Sequence, residues 1–415
     1  MFQDRIFPTM RNSFTSMVAC DTALRLIAEC AKSAPLQSIR VPLAEAAGRI
    51  AAEDVHAVTA RPEADISAMD GYAFDHAAMQ AAPDGLPVAG QTAAGDMPLP
   101  LPTGQALGIL TGARIPQGAD CVMAKERMRL TEAGCVMPAK MLADKGANIR
   151  RAGEEFSKGD ILLTRGIRLD WRHTALLACQ GITDVAVVRP VRVAVVSNGA
   201  ELAADASDAR ADSNSPMLAA LLRETGAEVT LHSVPSDNEQ KLSEMLAQVW
   251  AEADVLVTTG GISVGQTDNV LDALSSLGAQ TVFRGVTIRP GKPLTVMTHG
   301  PRKAFCLPGN PGASAICALV FLLPYLRGVM GASASTPMVP GVVDFAFTPV
   351  AGTTHFIPVS WHPEPQGWRL SMLPTVGASD IIVFSRASAL LRVDPAVPVE
   401  PGQTRWVLQL QPTGI

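Results

Sequence analysis

The stretch VLVTTGGISVGQTDN, residues 255–269, begins as an apolar run and becomes a glycine-rich loop that ends in an acid. A short apolar run rich in β-branched residues is typical of a buried strand, and glycines permit the sharp loop that follows. No Lys-Ser or Lys-Thr pair follows the glycines, and the glycines do not have the G-x-G-x-x-G spacing, so the stretch matches neither common phosphate-binding motif. It predicts a strand and a loop whose ligand is still to be identified.

The segments on both sides of this stretch alternate between strand and helix patterns. The predicted strands are VRVAVVS, AEVTLHSVPS and AFCLPGN, and the predicted helices are SPMLAALLRETG, NEQKLSEMLAQVWAEA, NVLDALSSLG and GASAICALVFLLPYL. In the first of these helices, Ser215 is the expected N-cap and Gly226 the expected stop. The alternation predicts a doubly wound, mostly parallel α/β domain with helices on both faces of its sheet.

The rest of the chain has mainly β patterns. Between about residues 83 and 138, short apolar runs alternate with Pro and Gly, which predicts an inserted β-rich domain. The N-terminal segment carries an amphipathic helix with Asp21 as its expected cap and Leu24, Ile27 and Ala31 on its buried face. The segment after GANIRR is predicted to return to that first domain.

The last part of the chain predicts a small all-β barrel or sandwich. Its strand-like runs are DFAFTPV, THFIPVSW, WRLSML, DIIVFSRASALLRV and RWVLQLQ. The fold class is therefore α/β plus all-β, in a multi-domain subunit.

Composition excludes several classes of partner. The chain has 415 residues, a net charge of −5 and scattered basic residues, so nothing indicates a nucleic-acid-binding surface. The seven cysteines lack the spacing of a zinc site, which favours reduced thiols in a cytoplasmic protein. The longest apolar run, AICALVFLLPYL, is shorter than the roughly 20 residues that a membrane span needs. The N-terminus lacks the pattern of a secretion signal, so we expect no membrane partner.

The candidate ligand site lies where loops follow the predicted parallel strands, since ligands bind at the carboxyl edge of such sheets. Gly260, Gly261 and Gly265 can turn successive N–H groups inward as an anion nest, with Ser263 as a hydroxyl donor. The alternative is a tight strand-to-helix connection in which Asp268 only caps the next helix. The loop alone leaves both interpretations open.

Two further loops favour an anion. In LPGNPG, Pro308 and Pro311 stiffen the turn around Gly309 and Asn310, although such a turn can equally be a structural one before a helix. In VTIRPGKPL, the cations Arg289 and Lys292 suit an anionic substrate, whereas taken singly each is typical of a solvated turn.

Four acids lie at or near the same edge and suit a hard cation such as Mg²⁺. They are Glu201, Asp212, Asp237 and Asp268. The alternative for each is a helix cap, and for Asp212 capping or backbone bonding is the favoured role.

Two charged motifs lie outside the α/β domain. SAMDGYAF places Asp70 in a turn that no strand or helix pattern explains, and RRAGEE places Arg150, Arg151, Glu154 and Glu155 around Gly153. Composition alone does not distinguish such clusters from solvated turns. The residues by themselves predict a phosphate-like anion, a divalent metal and a cleft between domains.

Eight motifs occur in the order and spacing of one family. They are MDGYAF, TGARIPQGADCVMAKE, IRRAGEE, SNGAEL, DSN, TTGGISVGQTD, IRPGKP and LPGNP. Together they resemble the molybdopterin molybdenumtransferases, the MoeA proteins, which are related to the E domain of gephyrin.

The resemblance implies an elongated subunit of four domains. Domain I would comprise residues 1–55 and 148–187, domain II the inserted residues 56–147, domain III the α/β residues 188–332, and domain IV the C-terminal β-barrel of residues 333–415. It also implies a homodimer whose cleft combines domain III of one subunit with domain II of the other.

The resemblance further implies the reaction. Family members take adenylylated molybdopterin and molybdate, release AMP and leave molybdenum on the dithiolene sulfurs. GGISVG and LPGNP would hold the pterin phosphate and nucleotide, and Asp237 and Asp268, with Glu201, would hold Mg²⁺. Arg284, Arg289 and Lys292 would neutralise phosphate or molybdate. Asp70, Glu155 and Thr111, the first residue of TGARIP, would complete the site from elsewhere in the dimer.

Five positions depart from the family pattern. Asp is usual where Glu155 stands, Thr and Asp are usual where Asn198 and Ala200 stand, and Lys is common at Arg284 and Arg289. The changes at Glu155 and Ala200 motivate a non-catalytic cofactor-binding paralogue as one alternative. The α/β domain alone motivates an adenylyltransferase as another. Implied partners also include the molybdopterin adenylyltransferase and the acceptor molybdoenzymes.

Overall fold

The computed structural model describes residues 17–33, 37–97, 100–199, 202, 211–235, 238–260, 269–332, 338–365 and 367–410. Within these ranges it contains three six-stranded sheets and three short two-stranded ladders. It confirms the predicted class of α/β plus all-β.

The chain first forms helix α1 (Cys20–Lys32), then strands β1 (Ser38–Pro42) and β2 (Val55–His56), with a 3₁₀ turn at Leu43–Glu45 between them. The buried face of α1 consists of Cys20, Ala23, Ile27 and Ala31. Leu24, expected on this face, is only partly buried. Asp21 is not the cap, because the helix begins one residue before it and its carboxylate accepts a 2.6 Å hydrogen bond from Arg392.

The inserted segment forms a six-stranded sheet. Its elements are β3 (Ile66–Ser67), β4 (Gly71–Phe74), α2 (His76–Ala81), β5 (Leu86–Thr92), β6 (Ala106–Ile109), β7 (Cys121–Ala124), β8 (Met128–Leu130), β9 (Cys135–Pro138) and β10 (Ile149–Arg150), with a 3₁₀ turn at Lys125–Arg127. The sheet order is β7-β4-β6-β5-β9-β8, and β10 pairs with β3 beside it.

The motif GYAF is strand β4 and not a turn as predicted. Four residues are too few to show a strand period, but β4 lies between β6 and β7, with both pairings antiparallel. A Cβ at Gly71 would lie 2.0 Å from the carbonyl oxygen of Met123, so only glycine allows this close pairing.

The chain then returns to the N-terminal strands. β11 (Ile161–Leu163) pairs with β2, and β12 (Asp184–Val188), which follows α3 (Trp171–Ala178), pairs with β1; both ladders are antiparallel. A small apolar core of Val41, Leu163, Leu177, Val185 and their neighbours lies between these elements.

The α/β unit contains all four predicted parallel strands. Its strands are β13 (Arg192–Asn198), β14 (Glu228–Val234), β15 (Val255–Thr259), β16 (Gln280–Arg284), β18 (Thr295–His299) and β19 (Arg302–Leu307), in the sheet order β14-β13-β15-β19-β18-β16. β13, β14, β15 and β19 are parallel, whereas β16 and β18 are antiparallel and were not predicted. A further short strand, β17 (Ile288–Arg289), leaves this sheet.

Helices α4 (Asn214–Arg223), α5 (Glu239–Glu252) and α6 (Asn269–Ser276) connect these strands. Ser215 is not the cap of α4, since the helix begins at Asn214. Instead, Asp212 accepts the N–H groups of Asn214 and Ser215, both at 3.0 Å, as predicted for this acid. The cap of α5 is Asn238, which accepts the N–H of Lys241.

The closing helix is longer than the predicted apolar run. α7 (Pro311–Cys317), a π-helical stretch (Ala318–Leu322) and α8 (Leu323–Val329) form one continuous helix of 19 residues. By length and composition it could cross a membrane, but 72% of its most apolar window is buried inside the protein. It packs with α1 in the largest apolar core, which also includes Phe356 and Leu390. We therefore interpret it as a core helix.

The C-terminal part forms a closed five-stranded barrel. Its strands are β20 (Met338–Val343), β21 (Thr354–Glu364), β22 (Gly367–Met372), β23 (Ala389–Val393) and β24 (Thr404–Gln409), and helix α9 (Ile381–Arg386) precedes β23. The order β21-β22-β20-β24-β23 closes through the pairing of β23 with β21.

Two predicted strands of the barrel are wrong. DFAFTPV makes only an isolated bridge at Phe347, and the first half of DIIVFSRASALLRV is α9. Asp380 begins this helix by accepting the N–H of Val383, a capping signal that the apolar pattern of the run conceals.

Candidate active site

Three loops meet at the carboxyl edge of the α/β sheet. Asn198 ends β13, Gly260 follows β15, and Gly309 follows β19 by two residues. Gly260 has a φ of +85°, and a Cβ there would lie 2.7 Å from the carbonyl oxygen of Asn198. A Cβ at Gly309 would lie 3.5 Å from the Cα of Gly260. The predicted substrate-binding positions Gly260 and Gly309 are therefore brought together.

A fourth segment is tied to this edge by Asn214, which the sequence did not single out. Its Nδ2 donates a 2.7 Å hydrogen bond to the carbonyl oxygen of Gly309, 95 residues away. Burial raises the pKa of Asp212, but hydrogen bonds from Ser215, Ser197 and the N–H of Asn214 bring it below the ordinary value. The start of α4 is thus held by an ionised carboxylate and is itself bound to the LPGNP turn.

Several predicted site residues lie outside the described ranges. They are Glu201, Asp237 and Asp268, the expected Mg²⁺ ligands, together with Gly261, Ser263 and Gly265 of the opening loop. Within the described ranges, no group of three or more His, Cys, Asp or Glu side chains could hold a metal ion. A hard oxygen is nevertheless present at the same edge, since Oδ1 of Asn198 is buried and has no hydrogen-bond partner among the described residues.

A cavity of about 1000 Å³ lies between this edge and the barrel. Four predicted substrate-binding residues line it: Arg289, Lys292, Pro308 and Asn310. Arg289 and Lys292 are exposed, and no Asp or Glu of the described ranges lines the cavity. Cationic lining residues without described carboxylates favour an anion in this cavity.

The barrel fixes the cationic loop through the backbone. β17 pairs in parallel with β21, with Arg289 opposite His355, and the N–H of Thr354 donates to the carbonyl oxygen of Thr287. His355 accepts a 3.1 Å hydrogen bond from the N–H of Val350. The pKa of His355 is lowered mainly by burial and, to a smaller extent, by the nearby positive charge of Arg289. The imidazole is therefore neutral near pH 7 and leaves the positive charge to Arg289 and Lys292.

The other two predicted substrate-binding residues of this unit occupy different positions. Pro311 begins α7 immediately after the turn, with Asn310 as the N-cap residue. Arg284 is exposed at the end of β16 and does not line the cavity.

Asp70 and Thr111 form a second, separate group in the inserted unit. The backbone N–H and Oγ1 of Thr111 both lie 2.8 Å from Oδ1 of Asp70, and Nζ of Lys125 lies 3.9 Å from Oδ2. These bonds from Thr111 lower the pKa of Asp70, whose side chain is 43% exposed. The result is an accessible, ionised carboxylate at the start of β4.

Glu155 lies between two arginines. Its Oε1 accepts a 2.7 Å hydrogen bond from Arg150, and its Oε2 a 2.8 Å bond from Arg61. The bond from Arg150, and then that from Arg61, lowers its pKa. In the described part of the chain, none of Asp70, Thr111 and Glu155 lines the cavity beside Lys292.

Comparison with known proteins identifies relatives over most of the chain. Residues 18–181 match the family described as MoeA N-terminal region (domain I and II), and residues 194–328 match the family described as probable molybdopterin binding domain. A molybdopterin molybdenumtransferase of Synechococcus elongatus is 37% identical over 317 residues, 72% of this chain and 77% of the relative. One from Haemophilus influenzae is 34% identical over 72% of this chain and 74% of the relative.

A solved structure supports the same assignment. The molybdopterin biosynthesis MoeA protein from Pyrococcus horikosii superimposes with a TM-score of 0.79 at 26% identity, covering 96% of this chain and all of the other.

Proposed function

Because the chain belongs to the family of molybdopterin molybdenumtransferases, we propose that it inserts molybdenum from molybdate into adenylylated molybdopterin and releases AMP. The observation that carries this proposal is the cavity beside the LPGNP turn, which is lined by Arg289 and Lys292 and by no described acid. Both substrates of the reaction are anions. Membership of this family of transferases favours insertion over the carrier and adenylyltransferase alternatives.

The pterin phosphate and nucleotide would bind at the carboxyl edge. Gly260, Gly309 and Asn310 present backbone there, and the closing helix begins at Pro311 with its N-terminus at the turn. The positive end of a helix favours a phosphate. The remainder of the opening loop, with Gly261, Ser263 and Gly265, would complete the nest.

Molybdate would bind beside the cationic loop. Arg289 can donate two parallel hydrogen bonds to an oxyanion, and Lys292 acts as a point charge. The backbone of Arg289 is held by β21, and the carbonyl oxygen of Lys292 accepts the N–H of Val286. Both backbone positions are therefore set before the substrate enters. Arg284 would add positive charge at the edge of the same region.

Mg²⁺ would be held by Asp237, Asp268 and Glu201. The supporting observation is chemical: the unpartnered Oδ1 of Asn198 and these carboxylates are the hard oxygen donors that Mg²⁺ prefers. When bound, the ion would neutralise charge on the anhydride oxygens.

Asp70, Thr111 and Glu155 would reach the cleft from a second subunit of a homodimer. Their distance in the chain from the α/β unit and their absence from the lining of the cavity support this arrangement. Glu155 would act there by holding Arg61 and Arg150, and Asp70 would face the substrate as an ionised carboxylate.

The proposed division into residues 1–55 with 148–187, 56–147, 188–332 and 333–415 agrees with the three six-stranded sheets, each of which lies wholly or almost wholly in one unit. The short ladder of β3 with β10 crosses the boundary between residues 147 and 148. We place the protein in the cytoplasm, where its seven free cysteines would stay reduced. The adenylyltransferase that supplies the substrate and the molybdoenzymes that accept the product would be its partners.

The decisive experiment incubates the purified protein with adenylylated molybdopterin, Mg²⁺ and molybdate, and measures AMP. Release of AMP that depends on molybdate is expected. Tight binding without AMP release would instead identify a carrier, and formation of the adenylylated compound from molybdopterin and ATP would identify an adenylyltransferase.

A further inference from the structure

We propose that Asn214 is a positioning residue that sets the LPGNP turn, Pro308–Pro311, for substrate binding. This inference deepens the proposed function and rests on it. Asn214 is 8% exposed and begins α4, and its Nδ2 reaches across 95 residues to the carbonyl oxygen of Gly309. Among the described residues, this side-chain hydrogen bond joins α4 directly to the turn.

The orientation of the Asn214 amide follows from this bond. A rotation that exchanged its oxygen and nitrogen would place two acceptors against each other, so Nδ2 must face Gly309. The other end, Oδ1, is buried and has no hydrogen-bond partner in the part of the chain that the structure describes. Within the described residues, the side-chain amide therefore makes one hydrogen bond, and its acceptor is the carbonyl oxygen of Gly309 in the turn.

Both ends of this connection are themselves fixed. On one side, Asp212 holds the N–H groups of Asn214 and Ser215 at the start of α4. On the other, Gly309 lies against Gly260, which lies against the carbonyl oxygen of Asn198. Asn214 thus connects the segment that begins α4 to the loops that follow β13, β15 and β19. Without its donor, the Gly309 carbonyl can rotate away and carry the neighbouring N–H groups with it.

The test compares Asn214→Ala with Ser213→Ala, which removes an adjacent side chain that makes no capping bond. For Asn214→Ala we expect the KM for adenylylated molybdopterin and the Kd for molybdopterin to rise about tenfold, with kcat within about threefold of wild type. Ser213→Ala should match wild type in both constants. Equal KM values in the two variants, or a lower kcat at unchanged KM, would overturn the inference.

A second variant separates positioning from general support of the fold. In Asn214→Asp, an ionised carboxylate repels the Gly309 carbonyl, whereas a protonated carboxyl can donate to it as the amide does. As the pH is lowered from 8 to 5, the Kd of Asn214→Asp for molybdopterin should therefore fall towards the wild-type value. At each pH this Kd is compared with the Kd of Asn214→Ala. The alanine variant corrects for titration of Asp212 and other nearby acids.

The outcomes are distinct. A constant ratio between the Kd values of the two variants across this range would contradict the role of the donor. If wild-type protein neither binds molybdopterin nor releases AMP, the proposed function fails, whatever the variants do.

Discussion

Asp70 receives two hydrogen bonds from one neighbour, the N–H and the hydroxyl of Thr111. Both favour the ionised form, so the pKa of Asp70 lies below its ordinary value. Thr111→Val removes one of the two bonds and should raise this pKa, moving the loss of the carboxylate charge to higher pH. Carbon-detected NMR titration of the Asp70 carboxyl measures the shift directly. An unchanged pKa would show that the Thr111 hydroxyl has no influence on the carboxylate.

Lys292 gives a second prediction at the residue scale. Among the described residues, Arg289 and Lys292 are the Lys and Arg side chains that line the cavity, and Lys292→Met removes one of these two charges. We therefore expect the half-saturating molybdate concentration to rise about tenfold at low salt. Lys158→Met, at an exposed lysine that does not line the cavity, is the matched control. A similar change in both variants would argue against a local effect of Lys292.

Residues of the site differ in how far the sequence predicts them. Arg289, Lys292, Pro308 and Asn310 follow from charge and stiffness within two short loops, and all four line one cavity. Asn214 could not be predicted in this way, because its importance lies in a bond to a residue 95 positions away. Within the tripeptide DSN, the sequence predicts a role for the acid alone, and Asp212 does accept backbone N–H groups at the start of the helix as expected.

At the scale of elements, the turn at Gly260 is set by steric contact. With φ at +85° and the Asn198 carbonyl oxygen 2.7 Å from a Cβ, Gly260→Ala combines backbone strain with a clash. We expect a loss of about 3 kcal/mol in the free energy of unfolding. Gly300→Ala has a positive φ but no atom within 4 Å of the new Cβ, and should cost about 1 kcal/mol. Urea unfolding of both variants measures the difference; equal losses would mean that the contact with Asn198 relaxes freely.

The sequence pattern predicts a strand or a helix well when the residues along that segment are buried to a similar degree. Strands β13, β15 and β19 are almost wholly buried because helices cover both faces of the sheet, whereas β14 lies at the sheet edge and is mostly exposed; the sequence predicts all four. Strands β16 and β18 lie at the antiparallel side, where the polar residues Gln280, Arg284 and His299 stand at the strand ends and leave only short apolar runs. α9 was mistaken for a strand because Ile381, Ile382 and Val383 favour β structure locally, whereas the cap at Asp380 starts a helix.

At the scale of the whole molecule, the proposed homodimer predicts complementation between inactive subunits. Asp70→Asn disables the contribution of the inserted unit, and Lys292→Met combined with Arg289→Met disables the cavity. If each cleft takes one group from each subunit, a heterodimer of the two variants has one intact cleft and one doubly altered cleft. A random equimolar mixture should then regain about 25% of wild-type AMP release.

This result depends on subunit exchange, which size-exclusion chromatography of differently tagged subunits would verify. If heterodimers form but AMP release does not recover, Asp70 and Lys292 belong to the site of one subunit or lie outside the site. Either result contradicts a cleft shared between subunits.

The pairing of β17 with β21 has an evolutionary consequence. Ile288 and Arg289 belong to the α/β unit by chain position, but their partners Thr354 and His355 belong to the barrel. A gene fusion that joined a foreign C-terminal module after Val329 would leave this strand without its neighbour and release the arginine that it carries. The two modules are therefore expected to be inherited as a pair, and shuffling between family members should succeed only where both come from the same parent.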